Sequence, residues 1–329
     1  MLSRLRSRST ARLRREKWSW LVALAALAAM ASASSAAPNQ FVILSDIHPN
    51  RDPRGGGRVA QMASLTTQLL ELHPAFVIQL GDFCGDPGPD PDLSRLEHGV
   101  QIFHRLREAG IDVYPVMGNH DIEGDSKTQF LCAHNPPFNP ELDPEVNQVV
   151  HDRWCRDNRY WYSFDRGAIH FVIIDSNARV EERSRGPAES RWHAVASFLA
   201  CDLCQRQSNS DRLPTLVFLH HPQYMTGNRK FYEERPLYQV LSQCPDHTVA
   251  AVFGGDWHRY EHFRGEDNLG VHVYATPPSI HEPANSPEYI VATVEPGKIT
   301  FRTVDSITGG PGKSGAAYYP IVGKFTNLK

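Results

Sequence analysis

The chain has no excess of positive charge to offer a polyanion. Its 34 Lys/Arg and 37 Asp/Glu residues give a formal net charge of −3, and seven of the basic residues fall within the first 17 positions. Beyond residue 33 there remain 27 basic and 36 acidic residues, a balance of −9. Because nucleic-acid affinity comes largely from neutralised phosphates, we expect no nucleic acid as a stable partner. Any phosphate recognition should be local and assisted by metal ions.

Other absences narrow the class of protein further. The chain shows no internal repeat, and it has no Asn-x-Ser/Thr sequon, which favours a bacterial envelope over a eukaryotic secretory route. The pair Cys201-x-x-Cys204 has no second cysteine pair to complete a zinc site and no thioredoxin-like context. We therefore expect it near the end of a helix, as a structural pair or as two separate disulfide partners, and a redox protein is disfavoured.

The first 37 residues are typical of an export leader. Basic residues precede a charge-free stretch from 18 to 37, whose strongly apolar part, 21–31, is shorter than the roughly 20 residues of a spanning helix. Small residues at 31–33, or alternatively at 35–37, suit signal cleavage. The sequence therefore predicts a secreted or periplasmic envelope protein. An uncleaved leader would instead anchor it in the membrane.

All six cysteines lie after this leader. An even number in an exported chain favours disulfides, although six cysteines allow 15 pairings. Cys132 and Cys155 bracket a proline-rich stretch, so a disulfide there is plausible. This stretch belongs to an insert at about 122–158 within a domain predicted over 38–329. A long insert in a compact domain is usually functional or cross-linked, and we expect a lid over the site.

Short apolar runs typical of strands alternate with helical patterns along the domain. Strands are predicted at 41–44, 76–80, 113–117, 160–164, 169–174, 215–219, 249–253, 271–275, 289–294 and 298–304, and helices at 59–72, 93–108, 189–203 and 236–242. The opening βαβαβ pattern implies parallel strands with right-handed crossovers, and the last three strands are expected to be mostly antiparallel. Since the strands are so many, the predicted fold is α/β, with two mixed β-sheets flanked by helices.

Five short polar motifs each follow a predicted strand. They are Asp46-Ile47-His48, Gly81-Asp82, Gly118-Asn119-His120-Asp121, His220-His221-Pro222 and Gly255-Asp256-Trp257-His258. Ligands gather at the carboxyl ends of strands in open α/β sheets, and carboxylates with imidazoles suit zinc, manganese or iron. Any one motif alone is more often an ordinary turn. Five in order predict two divalent metal ions side by side, with the two oxygens of Asp82 as the natural bridge.

These motifs resemble those of the calcineurin-like metallophosphoesterases. That family carries Asp-x-His, Gly-Asp, Gly-Asn-His-Asp/Glu, a later His and Gly-His-x-His, and the likeness spans nearly all of the chain after the leader. The stretches 162–165, 170–171, 175–176 and 259–261 also look like the purple-acid-phosphatase branch. However, His48 departs from that branch, and Gly85 stands where its iron-binding tyrosine would be. The chain is therefore similar to the broad family.

The resemblance implies a metallophosphoesterase-type sandwich and a ligand set for each metal. The first set is Asp46, His48, Asp82 and His258, and the second is Asp82, Asn119, His220 and Asp256. Position 256 is the departure, because the family has a histidine there. A carboxylate at this position shifts the preference towards manganese, magnesium or iron over zinc. The alternative is a weakened second site that fills only with substrate.

The resemblance also implies the reaction. A metal-activated water would hydrolyse a small-molecule phosphate mono- or diester, with His120 as the acid for the leaving group and Asp121 orienting its imidazole. His221 is expected to lie behind the ligands or in the packing. The alternative function is a catalytically weakened binding scaffold, motivated by Asp256. The retained Asn119-His120-Asp121 argues against it, since a scaffold needs no leaving-group acid.

Overall fold

A computed structural model of the chain describes residues 39–48, 57–83, 93–122, 160–177, 191–207, 213–225, 236–244, 248–263, 270–280, 286–314, 321–322 and 328. The leader, nearly all of the insert at 122–158, Gly85 and the pair Cys132 and Cys155 lie outside these residues, so what the sequence indicates for them stays a prediction. Among the helices that the structure describes, none is long and apolar enough to cross a membrane.

Two six-stranded sheets form the fold, in the orders β12-β11-β10-β1-β2-β3 and β4-β5-β6-β7-β9-β8. The strands are β1 Gln40–Leu44, β2 Phe76–Gln79, β3 Asp112–Pro115, β4 Tyr162–Arg166, β5 Ile169–Ile174, β6 Thr215–Leu219, β7 Val249–Gly254, β8 Glu261–Phe263, β9 His272–Ala275, β10 Glu288–Glu295, β11 Lys298–Asp305 and β12 Ile321–Val322. The helices are α1 Gly57–Leu72, α2 Leu93–Glu108, α3 Asn119–Ile122, α4 Arg191–Gln207 and α5 Pro236–Gln243, with a 3₁₀ turn at Pro222–Met225.

The strand directions explain why the two sheets present one polar edge. Strands β1, β2 and β3 are parallel, as are β5, β6, β7 and β9. The hairpin of β10 and β11 returns to the first sheet and pairs antiparallel with β1. The predicted pair of mixed sheets is confirmed. Among the closing strands β9 is parallel to β7, because the chain first reverses through β8.

Aromatic side chains from both sheets fill the interior. Phe41 stacks on Phe76 with ring centroids 5.1 Å apart, and it meets Phe171 of the other sheet edge-on at 5.5 Å. On the outer face of the second sheet, α4 and α5 bury apolar residues such as Trp192, Leu199 and Leu237 against Val172 and its neighbours. Packing on both faces fixes the strands relative to one another. Their carboxyl ends therefore bring the loop residues together in a defined place.

Candidate metal centre

Loops at adjacent strand ends carry every predicted site residue. Asp46 follows β1, Asp82 follows β2, Asn119 begins α3 after β3, His220 follows β6, and the last motif follows β7. Hydrogen bonds tie these loops together: Asp46 N donates to Gly81 O at 3.2 Å, and Gly255 N donates to His220 O at 2.9 Å. The structure thus brings the five motifs together at one edge.

The backbone at the site is held in an uncommon conformation. Five of the predicted ligands have a positive φ: Asp46, His48, Asp82, Asp256 and His258. Asp, Asn and His enter this left-handed region more readily than other residues with side chains, at a cost of roughly 1–2 kcal/mol each. Such strained residues cluster at functional sites, where the surrounding structure enforces them. The cluster is therefore independent support for a site here.

Glycines next to the ligands allow the loops to approach each other closely. A Cβ at Gly118 would collide with the backbone nitrogen and side chain of Asp82. A Cβ at Gly255 would collide with the side chains of Ser45 and Asp46. These two glycines are required because the backbone passes against the carboxylates.

Four side chains converge in what we call the first ligand group: Asp46, His48, Asp82 and His258. Nε2 of His258 lies 3.2 Å from Oδ1 of Asp46 and 3.2 Å from Nε2 of His48. Nε2 of His48 lies 3.3 Å from Oδ2 of Asp82 and 3.9 Å from Oδ1 of Asp46. Ligands bound at 2.0–2.1 Å in a tetrahedron stand about 3.3–3.4 Å apart. The residues present therefore fit a divalent metal.

A second ligand group, Asn119, His220 and Asp256, lies beside the first. Nε2 of His220 is 3.1 Å from Oδ1 of Asn119 and 4.0 Å from Oδ1 of Asp256. Nδ1 of His220 contacts the carbonyl oxygen of Leu80 at 2.7 Å. A carbonyl oxygen can only accept, so Nδ1 carries a proton and fixes the ring orientation. This is the usual arrangement of a metal-binding histidine, whose Nε2 is left for the ion.

One carboxylate oxygen belongs to both groups. Oδ2 of Asp82 lies 3.3 Å from Nε2 of His48 and 3.3 Å from Nε2 of His220. The other oxygen, Oδ1, accepts a hydrogen bond from the backbone N–H of His120 at 3.0 Å. The side chain is thereby oriented so that Oδ2 faces both imidazoles. This geometry suits the bridging role predicted for Asp82.

The electrostatics of the site favour a bound cation. Burial opposes ionisation of Asp46 and Asp82, but neighbouring histidines outweigh this effect and lower the pKa of both carboxyls. The largest lowering effect comes from His258 at Asp46 and from His220 at Asp82. Burial likewise opposes protonation of His220, but the carboxylates, Asp82 foremost, raise its pKa to about 10. Buried negative charge thus captures a proton on His220. A divalent ion would satisfy the same carboxylates.

Asp256 faces the second ligand group from the more open side. Its side chain is 29% exposed, and its Oδ2 accepts a hydrogen bond from Nε2 of Gln223 at 3.3 Å. Burial raises the pKa of Asp256, and the charges of Asp46 and Asp82 add to the rise, against the effect of His220. A third carboxylate in this place is therefore costly without a cation. The structure brings Asp256 to the place that the motif predicts for a ligand.

His120 and Asp121 lie at the edge of the first ligand group. Nε2 of His120 is 3.9 Å from Oδ2 of Asp82, and the side chain is 17% exposed, so it can reach a substrate in the opening. Oδ2 of Asp121 accepts hydrogen bonds from the backbone N–H groups of Asp82 and Gly118, both at 2.8 Å. Asp121 therefore holds two metal-site loops together. Its predicted influence on the His120 ring stays a prediction.

Sequence reasoning missed the position of His221. One ring nitrogen of His221 falls in a cluster with ligand atoms of His220 and Asp256, all within 4.8 Å of one another, and Nε2 of His221 lies 4.0 Å from Oδ1 of Asp256. Nδ1 of His221 lies 2.8 Å from Oγ of the buried Ser176, which follows β5. Burial, together with the neighbouring His220, lowers the pKa of His221 to about 3. The adjacency of two histidines after β6 was the available signal, but sequence alone does not say which way the second ring points.

Comparisons with known proteins agree with this geometry. The model of the calcineurin-like phosphoesterase family matches residues 40–260. Among solved structures, a dimetal phosphatase from Danio rerio is similar with a TM-score of 0.58 and 15% identity, over 82% of this chain and 97% of that one. GAP50, the anchor in the inner membrane complex of Plasmodium, is similar with a TM-score of 0.54 and 15% identity, over 88% and 90%. At these identities the likeness concerns the fold.

A curated relative matches a shorter part of the chain. The DNA double-strand break repair protein Mre11 of Methanococcus maripaludis is 30% identical over 88 residues. The match covers 25% of this chain and 23% of the relative, so the chain spans only about a quarter of that protein.

Proposed function

Since the chain belongs to the calcineurin-like phosphoesterase family, we propose that it hydrolyses phosphate mono- or diesters at a centre of two divalent metal ions. One observation carries this proposal above the others. Oδ2 of Asp82 stands 3.3 Å from an imidazole nitrogen of each ligand group. A single oxygen so placed suits a bridge between two ions, and paired ions about 3.5–4 Å apart are typical of phosphoester hydrolases.

The first ligand group would hold one ion, and the second group would hold the other, with Asp82 shared. When bound, such ions supply a water of lowered pKa and neutralise charge on the phosphoryl oxygens. Without them, the carboxylates of Asp46, Asp82 and Asp256 would repel an anionic ester. We therefore expect substrate binding, and not only turnover, to require metal.

His120 is the residue proposed to protonate the leaving oxygen. It projects beside Asp82 with its side chain partly exposed, while its backbone N–H is fixed by Oδ1 of the same carboxylate. An imidazole is suited to proton transfer near neutral pH. The role follows from reach and chemistry, since the partly exposed imidazole of His120 stands at the edge of the first ligand group.

Asp256 bears on which metal is used. With three carboxylates, an amide oxygen and three imidazoles, the two groups are harder and more anionic than a histidine-rich set. We propose that manganese or iron supports activity better than zinc, because oxygen ligands favour harder ions. Asp256 has a φ of 64°, which aspartate tolerates more readily than most residues with side chains.

A catalytically weakened scaffold is the second candidate, and Asp256 is the observation that favours it. GAP50, which shares the fold, is described as an anchor. Against this, the first ligand group holds two buried carboxylates with lowered pKa, Asp46 and Asp82, and Asp82 also faces the second group. Burying such charge is expensive unless a partner compensates it.

A metal and substrate panel tests the proposal. Metal-stripped protein would receive manganese, iron or zinc singly, and an aryl phosphate would be compared with a bis-aryl phosphate. We expect turnover that depends on added metal, highest with manganese or iron. Folded protein that takes up metal but hydrolyses neither ester would favour the scaffold. The His48→Ala variant, which removes a ligand of the first group, is the matched control for contaminating phosphatase.

We also propose export from the cytoplasm and a small-molecule phosphoester as the partner. The support is the leader in residues 1–37 and the acidic balance of the rest of the chain. N-terminal sequencing of protein from the envelope fraction tests the first point. A start near residue 34 or 38 is expected, whereas an intact Met1 in the membrane fraction would favour the anchor.

A further inference from the structure

Ser176 contacts both the backbone and the ring of His221. Ser176 is fully buried after β5, and its Oγ accepts a hydrogen bond from the backbone N–H of His221 at 3.0 Å. The same Oγ lies 2.8 Å from Nδ1 of His221. A hydroxyl has one proton to donate, and among the described residues Nδ1 is the acceptor within its reach. With the hydroxyl as donor, Nδ1 carries no proton and the neutral ring carries its hydrogen on Nε2.

This tautomer decides what Nε2 can do. A metal ligand must offer a lone pair, and an Nε2–H group cannot. Nε2 of His221 lies 4.0 Å from Oδ1 of Asp256, too far for a hydrogen bond, so Asp256 does not occupy it. The side chain is 8% exposed. Nε2–H is thus a hydrogen-bond donor at the edge of the second ligand group.

We propose that His221 does not bind metal but donates Nε2–H to a phosphoryl oxygen of the substrate at the second ligand group. This rests on the proposed function. The phosphoryl group of an ester presents acceptors only, while the two ligand groups offer chiefly carboxylates and lone pairs. A neutral donor meets that need without placing a further positive charge beside the metals. Ser176 is then a positioning residue, since it acts through the His221 ring.

Binding of inorganic phosphate to manganese-loaded protein separates the possible roles. His221→Ala should keep two metal equivalents by elemental analysis, while the phosphate Kd rises about 10-fold or more, the loss typical of a hydrogen bond to a charged group. His221→Gln, which returns an amide N–H, should recover part of the affinity. Tyr224→Phe is the matched control, because Tyr224 packs near the His221 ring, with centroids 5.8 Å apart, and should bind phosphate like the parent.

Three results discriminate the claims. Loss of one metal equivalent in His221→Ala would make His221 a ligand and overturn the proposal, and so would an unchanged phosphate Kd. Parent protein that holds two metals yet neither binds phosphate nor hydrolyses an ester would contradict the proposed function itself. If the variants fail to fold, ¹⁵N spectra of histidine-labelled parent protein, loaded with a diamagnetic metal, report the tautomer directly. Nε2–H at His221 is expected, and Nδ1–H would overturn the proposal.

A different observation concerns two cysteines far from this site. Helix α4 ends at Gln207 and α5 at Gln243, and these helices pack over the second sheet. Cys204, exposed in the last turn of α4, has its Sγ 3.0 Å from Sγ of Cys244, which is buried just after α5. Two thiol sulfurs in ordinary contact stand farther apart than this.

The geometry points to a disulfide between Cys204 and Cys244. Each thiol loses one hydrogen, and the two electrons and two protons pass to the disulfide of a thiol-oxidising carrier, which leaves as a dithiol. Burial, with the Cys204 thiol close by, raises the pKa of Cys244 to about 11, so the exposed Cys204 is the thiol that first attacks the carrier. The bond would join two cysteines that are 40 positions apart in sequence, one in α4 and the other just after α5.

Peptide mass spectrometry tests this on the full chain. Protein from an oxidising compartment, alkylated without reduction, should yield a peptide pair linked through Cys204 and Cys244. Reduction should lower Tm by roughly 5–10 °C, the scale expected for a closed loop of this length. Cys201→Ser should retain the link, as the matched control. Alkylation of both thiols, or a Cys201–Cys204 link in their place, would overturn the assignment.

Discussion

The backbone N–H of Asp256 donates a hydrogen bond to Oδ1 of Asp46, 3.2 Å away. This bond joins the last motif, at the end of β7, to the first motif, at the end of β1. Both loops also have the same Asp-x-His spacing, and the aspartate and histidine of each have positive φ. Because the bond uses the backbone of Asp256, a change of its side chain should alter the metal site without disturbing the fold.

Asp256→Ala should therefore bind about one metal equivalent fewer than the parent, while Tm changes little. Elemental analysis after gel filtration measures the metal, and circular dichroism measures Tm. Asp112→Asn is a suitable control, since it removes a buried carboxylate outside the site and should keep both equivalents. Two retained equivalents in Asp256→Ala would show that position 256 is not a ligand.

Asp256→His should raise zinc-supported activity relative to manganese-supported activity. An imidazole is a softer, neutral ligand, and it restores the residue that the family has at this position. The ratio of kcat/KM with each metal, measured for variant and parent, gives the result. A ratio that does not move would mean that Asp256 has no part in metal selection.

His120→Ala should keep both metals and lose most activity towards esters with poor leaving groups. Loss of a general acid typically costs 10²–10⁴-fold, and the cost should shrink when the leaving phenol is acidic. A series of aryl phosphates with different phenol pKa values measures this dependence. His48→Ala, which removes a residue of the first ligand group, should lose bound metal and should lose activity towards all of the aryl phosphates to the same extent. An unchanged dependence on the phenol in His120→Ala would remove His120 from proton transfer.

Asp121→Ala should destabilise the protein. It leaves the N–H groups of Asp82 and Gly118 without their 2.8 Å acceptor, and an unsatisfied buried donor costs roughly 1–3 kcal/mol. The free energy of unfolding should fall by about 2–5 kcal/mol in metal-free protein, measured with urea. Asp121→Asn keeps an acceptor oxygen and should lose less. Equal losses in both variants would mean that the negative charge matters more than the two bonds.

Asp112 gives a pH dependence of stability. Burial raises the pKa of Asp112 to about 6, against the effects of Arg166 and Arg107, whereas the ordinary value is 3.8. Between about pH 4 and pH 6 the unfolded chain releases this proton and the folded chain keeps it. The stabilisation that protonated Asp112 gives the folded state is therefore complete below about pH 4 and is lost as pH rises through about 6. Asp112→Asn should gain stability relative to the parent over that range, on the order of 1–3 kcal/mol. A pH-independent difference between the two urea midpoints would contradict this.

Local pattern was enough to predict that the five motifs converge, because parallel strands end at the same edge and the motifs follow them. Local pattern did not predict which distant strands pair, because nothing in the sequence near β10 indicates that it pairs with β1. It also did not predict β8, because a strand of three residues is too short to show a pattern. The direction in which a side chain points also could not be predicted from the sequence. His221 lies beside His220 and Asp256, and its ring contacts Ser176, which follows β5. The hydrogen bond from the backbone N–H of Asp82 to Oδ2 of Asp121 likewise joins residues 39 positions apart.

The most direct test of the central claim is the hydrolysis rate as a function of bound manganese. Metal-stripped protein would be titrated with Mn²⁺, and turnover of an aryl phosphate followed at each bound equivalent. The shared oxygen of Asp82 predicts that the rate rises mainly with the second equivalent and then stops rising. Full activity at one equivalent, or none when two are bound, would contradict a two-metal phosphoesterase.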